Sequence, residues 1–325
     1  MRDYHIHYTG ALPISYIYAK YMEYPFKQNF PLGFDNISNY EAFKQKIENC
    51  FFNDYKQNKQ NFFEIYKIFQ ELTKPKKQEE FQKIYSEGCY EICKNLLTHQ
   101  VHEFDLIAGP CQTIDLTYAR LKGMIDGICQ AENTLSKNLS VRIRLTFIRN
   151  HQGKIKNFSS RLLDDIFELL KDSFFSKRVI GFDLSGEEQP ITSYFDENCA
   201  IIKAISEQNK IKNKHFEIGI HAGENITNET NNDLYFDLFE KLTTININRI
   251  SHGTFLWLND NPEKRALLKK FASQKVIFDI CPTANRKLTP LGDKTQIPLD
   301  LFKQIGLQCT LNRDNPSIFN NWLIP

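Results

Sequence analysis

Short apolar or β-branched runs recur eight times along this chain, and stretches with helical periodicity separate most of them. The eight strand candidates lie at residues 2–7, 100–108, 141–148, 178–184, 215–221, 247–252, 275–281 and 306–312. Strand and helix alternating eight times is typical of an α/β protein with a parallel (β/α)₈ TIM barrel, whose active face lies at the carboxyl ends of the strands. A length of 325 residues suits one barrel domain over 1–325, although length alone also allows two small domains.

The gap between the first two strand candidates, about residues 13–98, is much longer than the others and rich in Phe, Tyr, Lys and Asn. Helical patterns occur near Tyr40–Phe52, Asn61–Thr73 and Gln78–Leu97. An insertion after the first strand of a barrel lies over its mouth, so we expect these helices to form part of a lid or pocket wall. The aromatic residues there either form the core of these helices or contact substrate.

His5 and His7 stand one residue apart in the first strand candidate. Positions i and i+2 of a strand point to the same face, so both imidazoles can bind one ion from one side. A lone histidine on an apolar strand is more often a core residue. Two buried imidazoles that face the same way, however, need a common partner to offset the cost of burying their polar nitrogens. His221 ends the fifth run and Asp314 ends the eighth. Three imidazoles and one carboxylate with an open position for water suit one catalytic Zn²⁺ per chain better than a closed structural site.

Six motifs, in order along the chain, resemble the adenosine deaminase family from the first residues to the last. They are HIHYTGAL from residue 5, DLSGEE from 183, HAGE from 221, RISHG from 249, CPTAN from 281 and TLNRDNP from 310. The resemblance implies a barrel fold and a zinc-dependent amidohydrolase. It also implies that His5, His7, His221 and Asp314 are the metal ligands.

The same resemblance implies roles for three residues near the metal. His252 would orient and deprotonate the attacking water, and Glu224, kept protonated in a dry pocket, would donate a proton to purine N1. Gly186 would present its backbone to purine N3, because a glycine permits close approach. Taken by themselves, His252 could be a core histidine, Glu224 a capping or surface glutamate, and Gly186 part of an ordinary turn.

Departures from the family pattern bear on the substrate. Where nucleoside deaminases commonly place an Asp that accepts the ribose 5′-hydroxyl, this chain has Thr9, which does not repel a 5′-phosphate. Where the family has a second Asp after the metal-binding one, Asn315 can donate to purine N7 from its amide without any pKa shift. Arg286, Lys287 and Arg313 follow the last two strands, where such barrels often bind phosphate. Arg286 and Lys287 are equally well interpreted as a pair of solvated surface charges.

These observations predict zinc-dependent hydrolytic deamination of an adenine nucleoside or, with a slight preference, its 5′-phosphorylated form, giving the inosine counterpart and ammonia. Another metal-dependent amidohydrolase acting on a different amino-heterocycle is a second possibility, because Asn315 replaces the family's Asp. A third is a catalytically inactive sensor or partner-binding subunit. The complete set of ligands and of acid and base groups argues against the third.

The charge and composition of the chain limit the kinds of molecule that it is expected to bind. Net charge is +2 with both signs interspersed, which provides no electrostatic footprint for a nucleic acid polymer or an anionic membrane. No apolar run approaches a membrane span and the N-terminus lacks the regions of a signal peptide, so we expect a cytoplasmic protein that binds a small adenine compound. The eight cysteines include no CxxC pair and are expected to be reduced thiols.

After the eighth strand candidate, Ser317–Pro325 remain, and the seam between strands eight and one should lack its own covering helix. We therefore expect a second copy of the chain or a partner subunit to cover this seam. The apolar residues available for that contact are Ile318, Phe319, Trp322, Leu323 and Ile324. In a self-contained alternative, the long insertion after the first strand folds across the seam.

Overall fold

The computed structural model describes residues 1–51, 54–150, 155, 158–188, 192–224, 232–290 and 296–322. Eight parallel strands pair in chain order and form a nearly closed barrel surrounded by helices, which confirms the predicted (β/α)₈ fold. The strands are β1 (Arg2–His7), β2 (Glu103–Ala108), β3 (Ser140–Arg149), β4 (Val179–Gly186), β5 (Glu217–Ala222), β6 (Arg249–His252), β7 (Ile277–Ile280) and β8 (Gln308–Leu311). Their ends differ from the predicted runs by a few residues, because ladder partners rather than local hydrophobicity decide where pairing stops.

The barrel closes where the chain after β8 returns to β1. The backbone N–H of Asp314 donates to the His5 carbonyl over 3.0 Å, and the His7 N–H donates to the Asp314 carbonyl over 2.9 Å. Nearby, the Tyr4 N–H donates to the side-chain oxygen of Asn312 over 2.9 Å. These bonds fix Asp314 beside both histidines of β1.

Helices between β1 and β2 form the predicted insertion. They are α1 (Tyr8–Ala11), α2 (Ile14–Glu23), α3 (Tyr40–Glu48), α4 (Tyr55–Leu72) and α5 (Glu80–Thr98), with a 3₁₀ turn at Lys27–Asn29. Tyr21, Phe34 and Phe43 are fully buried against one another and form a core for α2 and α3. Phe62 and Phe63 of α4 instead line a pocket beside β4. Some of the aromatic residues therefore form helix core, and contact of others with substrate stays a prediction.

The remaining helices surround the barrel or follow strand ends. They are α6 (Ile114–Thr134), α7 (Ser160–Leu169), α8 (Ser173–Ser176), α9 (Thr192–Ile211), α10 (Asn232–Leu242), α11 (Thr254–Trp257), α12 (Pro262–Ser273), α13 (Pro282–Leu288), α14 (Leu299–Ile305) and α15 (Pro316–Phe319). Gly123 and Gly127 of α6 lie against the backbone of Gln82 and Ser86 in α5, so α5 packs closely against α6 outside the barrel. A lid formed by the inserted helices stays a prediction. None of the helices in the described ranges has the length and apolar character needed to cross a bilayer.

A buried network of charged side chains lies inside the barrel next to the metal candidates. Arg144 Nη2 lies 2.6 Å from Asp105 Oδ2, and its Nη1 lies 3.3 Å from Asp279 Oδ2. Arg249 Nε donates to the same Asp279 oxygen over 2.9 Å. Burial opposes ionisation of Asp279, but the charge of Arg249 holds the pKa of this carboxyl well below its usual range. Pairing offsets the desolvation of these groups, and Asp279 Oδ2 lies 3.9 Å from His5 Nδ1.

The C-terminal helix is covered from within the chain. Ile318 and Phe319 on α15 are 1% and 5% exposed. The Phe319 ring stacks on Phe62 of α4 with 5.3 Å between centroids, and it also contacts the ring of Phe51. The expectation that Ile318 and Phe319 contact another subunit is therefore wrong, because the insertion already buries them. This part of the seam follows the self-contained alternative.

The last described residues run back across the seam. Trp322 is half-buried and stacks on His99 with 5.1 Å between ring centroids. Arg313 Nε donates to the Trp322 carbonyl over 2.8 Å, and Arg313 Nη1 lies 2.9 Å from Asp3 Oδ2. Both charged side chains are fully buried. The predicted contact residues Leu323 and Ile324 lie outside the described residues.

Replacing Arg313 by methionine is expected to lower the free energy of unfolding by about 3–5 kcal/mol, because Asp3 would stay buried without its partner. Urea denaturation measures this loss. The matched control is Arg161→Met, which removes a guanidinium whose side chain is 93% exposed and should cost less than about 1 kcal/mol. Equal losses for the two variants would contradict a structural role for the Arg313–Asp3 pair.

Candidate active site

Four potential metal ligands meet where the strands end. His5 and His7 belong to β1, His221 belongs to β5, and Asp314 follows β8. His7 Nε2 lies 3.0 Å from His221 Nε2, and Asp314 Oδ1 lies 3.3 Å from His7 Nε2. The same carboxylate oxygen lies 3.7 Å from His5 Nε2, and ligand nitrogens of the three histidines lie within 4.8 Å of one another. The structure thus brings together all four predicted ligands.

The protonation of these residues fits a cation site. Burial lowers the pKa of His7 to about 3 and also lowers the pKa of His221, so both imidazoles are neutral, as metal binding requires. Burial opposes ionisation of Asp314, but the neighbouring His5 and His7 side chains hold the pKa of this carboxyl below its usual value. Neutral imidazoles beside an ionised carboxylate match the donor set of catalytic zinc.

His5 supplies a second indication. Its Nε2 atom is buried without a hydrogen-bond partner among the described residues, whereas buried polar atoms are normally satisfied. Burial favours the neutral ring, yet the carboxylates of Asp279 and Asp314 raise the pKa of His5 to about 10. The two carboxylates thus favour a positive charge at this place, which a bound cation would also provide.

Side chains of β4 and β6 lie at the other ring nitrogens of two ligands. Asp183 Oδ2 lies 3.0 Å from His221 Nδ1, and Ser251 Oγ lies 3.1 Å from His5 Nδ1. Such partners hold a metal-binding imidazole in one tautomer and orientation. Asp183 and Ser251 had no role predicted from sequence, although both stand inside the motifs that resemble the adenosine deaminase family.

His252 and Glu224 lie beside the ligand cluster. His252 Nε2 is 3.6 Å from Glu224 Oε1, and His252 Nδ1 is 3.2 Å from Asn285 Oδ1. Candidate ligand atoms of Glu224, His252 and Asp314 all lie within 4.8 Å of one another. A histidine and a carboxyl group therefore adjoin the same space as the metal candidates, and Asn285 holds the histidine ring from behind.

Backbone strain coincides with two of these residues. His252 and Asp314 adopt φ angles of 67° and 66°, in the left-handed region that residues other than glycine rarely enter. Each such residue costs about 1–3 kcal/mol, and strain of this kind concentrates at functional sites where the surrounding structure enforces it. Pairing of Ala222 with His252 between β5 and β6 and of Ile6 with Asp314 at the seam holds the two residues in place.

The sequence model for adenosine deaminase matches residues 3–324. The chain belongs to the adenosine deaminase family. A curated relative, the adenine deaminase of Zymomonas mobilis, is 25% identical over 266 residues, which cover 82% of this chain and 69% of that enzyme. The adenine deaminase of Candida albicans is 26% identical over 148 residues, which are 45% of this chain but 36% of that enzyme. Family and barrel together indicate a hydrolytic deaminase.

Solved structures share the barrel at lower sequence identity. The adenine deaminase from Arthrobacter aurescens superimposes with a TM-score of 0.64 at 17% identity, covering 98% of this chain and 83% of that chain. An Arabidopsis ADAL structure complexed with IMP has a TM-score of 0.64 at 15% identity, covering 98% of this chain and 82% of that chain. These neighbours establish the fold of the adenosine deaminase family for this chain, and one of them binds a nucleotide.

Three predicted substrate-binding residues lie near the site. Thr9 is half-buried and lies beside Tyr66 of α4. Gly186 lines the pocket that Phe62 and Phe63 also line, beside Glu224. Its φ is 93°, and a side chain at this position would also collide with the Arg149 carbonyl. Asn315 is buried and donates from its amide nitrogen to Asp314 Oδ1 over 2.7 Å. The Asn315 amide thus contacts a ligand candidate, rather than pointing only toward a substrate.

The three predicted phosphate contacts are separated. Arg286 and Lys287 occupy the end of α13, which contacts the insertion, and the Lys287 ammonium lies 5.0 Å from the centre of the Phe51 ring. Arg286 is half-buried, with its Nε lacking a hydrogen-bond partner within the described ranges. Arg313 is buried in the seam and paired with Asp3. The structure does not bring Arg313 to the ligand cluster, because its guanidinium is already engaged.

The pocket beside Glu224 includes a cationic side chain that was not predicted from sequence. Lys59 of α4 lines this pocket together with Gly186, Glu188 and Leu288. Burial lowers the pKa of Lys59, and nearby carboxylates partly oppose that shift. No sequence motif marks Lys59, which reaches the mouth only because α4 folds across it.

Proposed function

We propose that this chain deaminates the 6-amino group of an adenine nucleoside or its 5′-phosphate by hydrolysis. Water adds at C6, ammonia leaves, and the product is the corresponding inosine compound. The observation that carries the proposal is the meeting of four metal-ligand candidates with Glu224 and His252 at one end of the barrel. A site limited to binding would need no acid and base beside its ligands.

We propose His5, His7, His221 and Asp314 as the holders of one Zn²⁺. When bound, zinc supplies an acidified water near neutral pH. The buried, unsatisfied Nε2 of His5 and the neutral rings of His7 and His221 support this assignment.

The base acts on the attacking water, and the acid acts on the purine ring. His252, oriented by Asn285, takes a proton from the attacking water. Glu224 donates a proton to purine N1, which lets the ring accept the electron pair as C6 becomes tetrahedral. Gly186, which lines the pocket with Glu224, presents its backbone to purine N3. His252 passes the proton it took to the departing amino group, which leaves as ammonia, and the proton of the new C6 hydroxyl returns to Glu224 as the inosine carbonyl forms.

The substrate can be identified by measuring ammonia release. Zinc-loaded protein should release ammonia from adenosine, deoxyadenosine or one of their phosphates. Inosine, which lacks the 6-amino group, is the negative control and should release none. Failure with every adenine compound would favour the second possibility, an amidohydrolase for a different amino-heterocycle. The contact of Asn315 with Asp314 keeps that alternative open, because this amide is already donating within the protein.

We further propose that the substrate carries a 5′-phosphate. Thr9 provides a hydroxyl group without negative charge at the position where nucleoside deaminases commonly carry Asp, and Tyr66 lies beside it. Arg286 and Lys287 add positive charge at the end of α13. Arg313 is left out of this proposal because it is buried with Asp3.

Replacing Thr9 by Asp is expected to lower the efficiency for AMP relative to adenosine by about tenfold or more, because a repulsion of about 1.4 kcal/mol is restored at close range. The values of kcat/KM for both substrates in both proteins measure this shift. Thr9→Asn is the uncharged control and should change the ratio by less than about threefold. A native enzyme that strongly prefers adenosine would remove the phosphate proposal and leave the deaminase proposal intact.

A homo-oligomer or partner subunit at the seam stays a prediction. One exposed and three half-buried residues of β8 support it, because they leave this strand incompletely covered. Ile318 and Phe319 take no part in that prediction, since they are buried under α3 and α4.

A further inference from the structure

Glu188 occupies a position that the proposed chemistry has not used. It follows β4 and is 2% exposed, although an ionisable side chain is rarely so buried without partners. Its Oε1 accepts the Gly223 N–H over 2.9 Å, and its Oε2 accepts the Glu224 N–H over 3.1 Å. The Tyr235 hydroxyl donates to Oε2 over 3.2 Å. Both carboxylate oxygens are therefore held by donors from the β5 end and α10.

Two of these donors belong to the turn that carries the proposed acid. Gly223 has a φ of 70°, a conformation that turns the chain sharply at the end of β5. Its N–H and that of Glu224 both point to the Glu188 side chain, so one buried carboxylate spans the turn. Charge-assisted hydrogen bonds of this kind are stronger than those between neutral groups.

We propose that Glu188 is a positioning residue that anchors the turn after β5, so that the Glu224 carboxyl faces His252 and the substrate. The inference rests on the proposed function, because it assumes that Glu224 is the proton donor. Glu188 acts through the Glu224 backbone and does not itself exchange a proton with substrate. Tyr235 holds the Glu188 carboxylate in place from α10.

The isosteric variant Glu188→Gln tests the proposal. A glutamine offers one accepting oxygen, and its NH₂ group meets a backbone N–H where the second oxygen stood. We expect kcat to fall by at least about tenfold, since small displacements of a reacting group have large kinetic effects. KM should change by less than about threefold and zinc content should be unchanged, because binding and metal ligation do not depend on Glu188. Glu207→Gln, at an exposed position of α9, is the control for removal of a carboxylate.

A double-variant cycle separates positioning from a general contribution to folding. If Glu188 acts through Glu224, Glu188→Gln should lower kcat by less than about threefold when Glu224→Gln is already present. The same loss in both backgrounds would overturn the proposal. Tyr235→Phe removes one donor and provides a second variant: it should lower kcat with zinc retained, and an unchanged kcat counts against the proposal even if Glu188→Gln does not fold.

Hydrogen exchange provides a readout that does not require activity. In Glu188→Gln, amides of the peptide covering 221–224 should exchange at least about tenfold faster, while those of β6 keep their rates. In Tyr235→Phe the same peptide should exchange faster by a smaller factor. Unchanged exchange at 221–224 overturns the anchoring role whether or not the chain deaminates adenine. A wild-type protein that releases no ammonia contradicts the proposed function instead, so the two failures are distinguishable.

Discussion

Replacing His221 by alanine is expected to abolish both metal binding and deamination. The wild-type protein should carry about one Zn²⁺ per chain. The variant would lose the one proposed ligand that comes from β5, across the barrel from β1, and would keep only ligands from β1 and from the adjoining residue after β8. The loss should be accompanied by release of Asp183, whose carboxylate lies 3.0 Å from His221 Nδ1. Metal analysis and ammonia release on the same preparation measure both effects.

The control for this variant is His215→Ala, which removes an exposed histidine just before β5. It should retain both zinc and activity. Full activity of His221→Ala in metal-free buffer would contradict the assignment of His221 as a ligand. Loss of activity with zinc still bound would place the metal elsewhere.

Replacing Glu224 by glutamine is expected to lower kcat by at least about a hundredfold, the usual scale for loss of general acid catalysis. Glutamine keeps the shape of the side chain but cannot give a proton to purine N1. Zinc content and the unfolding temperature should stay close to those of the wild type, because Glu224 is not among the proposed ligands. Steady-state kinetics, with metal analysis, measures the effect.

Glu187→Gln is a nearby comparison for the Glu224 variant, because it removes a carboxylate from the same pocket without touching the proposed acid. Its kcat should fall much less than that of Glu224→Gln. Near-normal turnover by Glu224→Gln would mean that another group protonates the purine. His252→Ala should also retain zinc while losing turnover, since it removes the proposed base.

Much of the barrel and its ligand set could be predicted from local patterns. Alternating apolar runs and helical periodicity predicted eight strands, and HxH spacing in one strand placed His5 and His7 on a common face. His221 and Asp314 were expected at strand ends, which in a parallel barrel all lie at one edge. The four residues came together as predicted because this topology leaves them few other places to meet.

The partners of those residues could not be predicted in the same way. Asp183 of β4 contacts His221 on the neighbouring strand β5, Ser251 of β6 contacts His5 on β1, and Glu188 reaches backbone groups at the end of β5. Such contacts depend on strand register and on side-chain direction at strand ends, which no local pattern specifies. Lys59 likewise lines the pocket through the path of α4.

Arg313 shows the opposite error, in which a position near a strand end suggested the wrong surroundings. Its place in the sequence pointed to substrate phosphate, but its guanidinium enters the seam and pairs with Asp3, 310 residues earlier in the chain. Pairing with a buried carboxylate removes the free charge that phosphate binding requires. A prediction from sequence position alone could not choose between the mouth and the seam.

The central claim is that His5, His7, His221 and Asp314 bind one zinc ion at the mouth of the barrel. Anomalous diffraction at the zinc edge, from crystals grown with the metal, tests it most directly. We predict one strong peak about 2.0–2.2 Å from the nitrogens of the three histidines and from a carboxylate oxygen of Asp314. Zinc bound elsewhere in the crystal, with these four side chains left without it, would contradict the account.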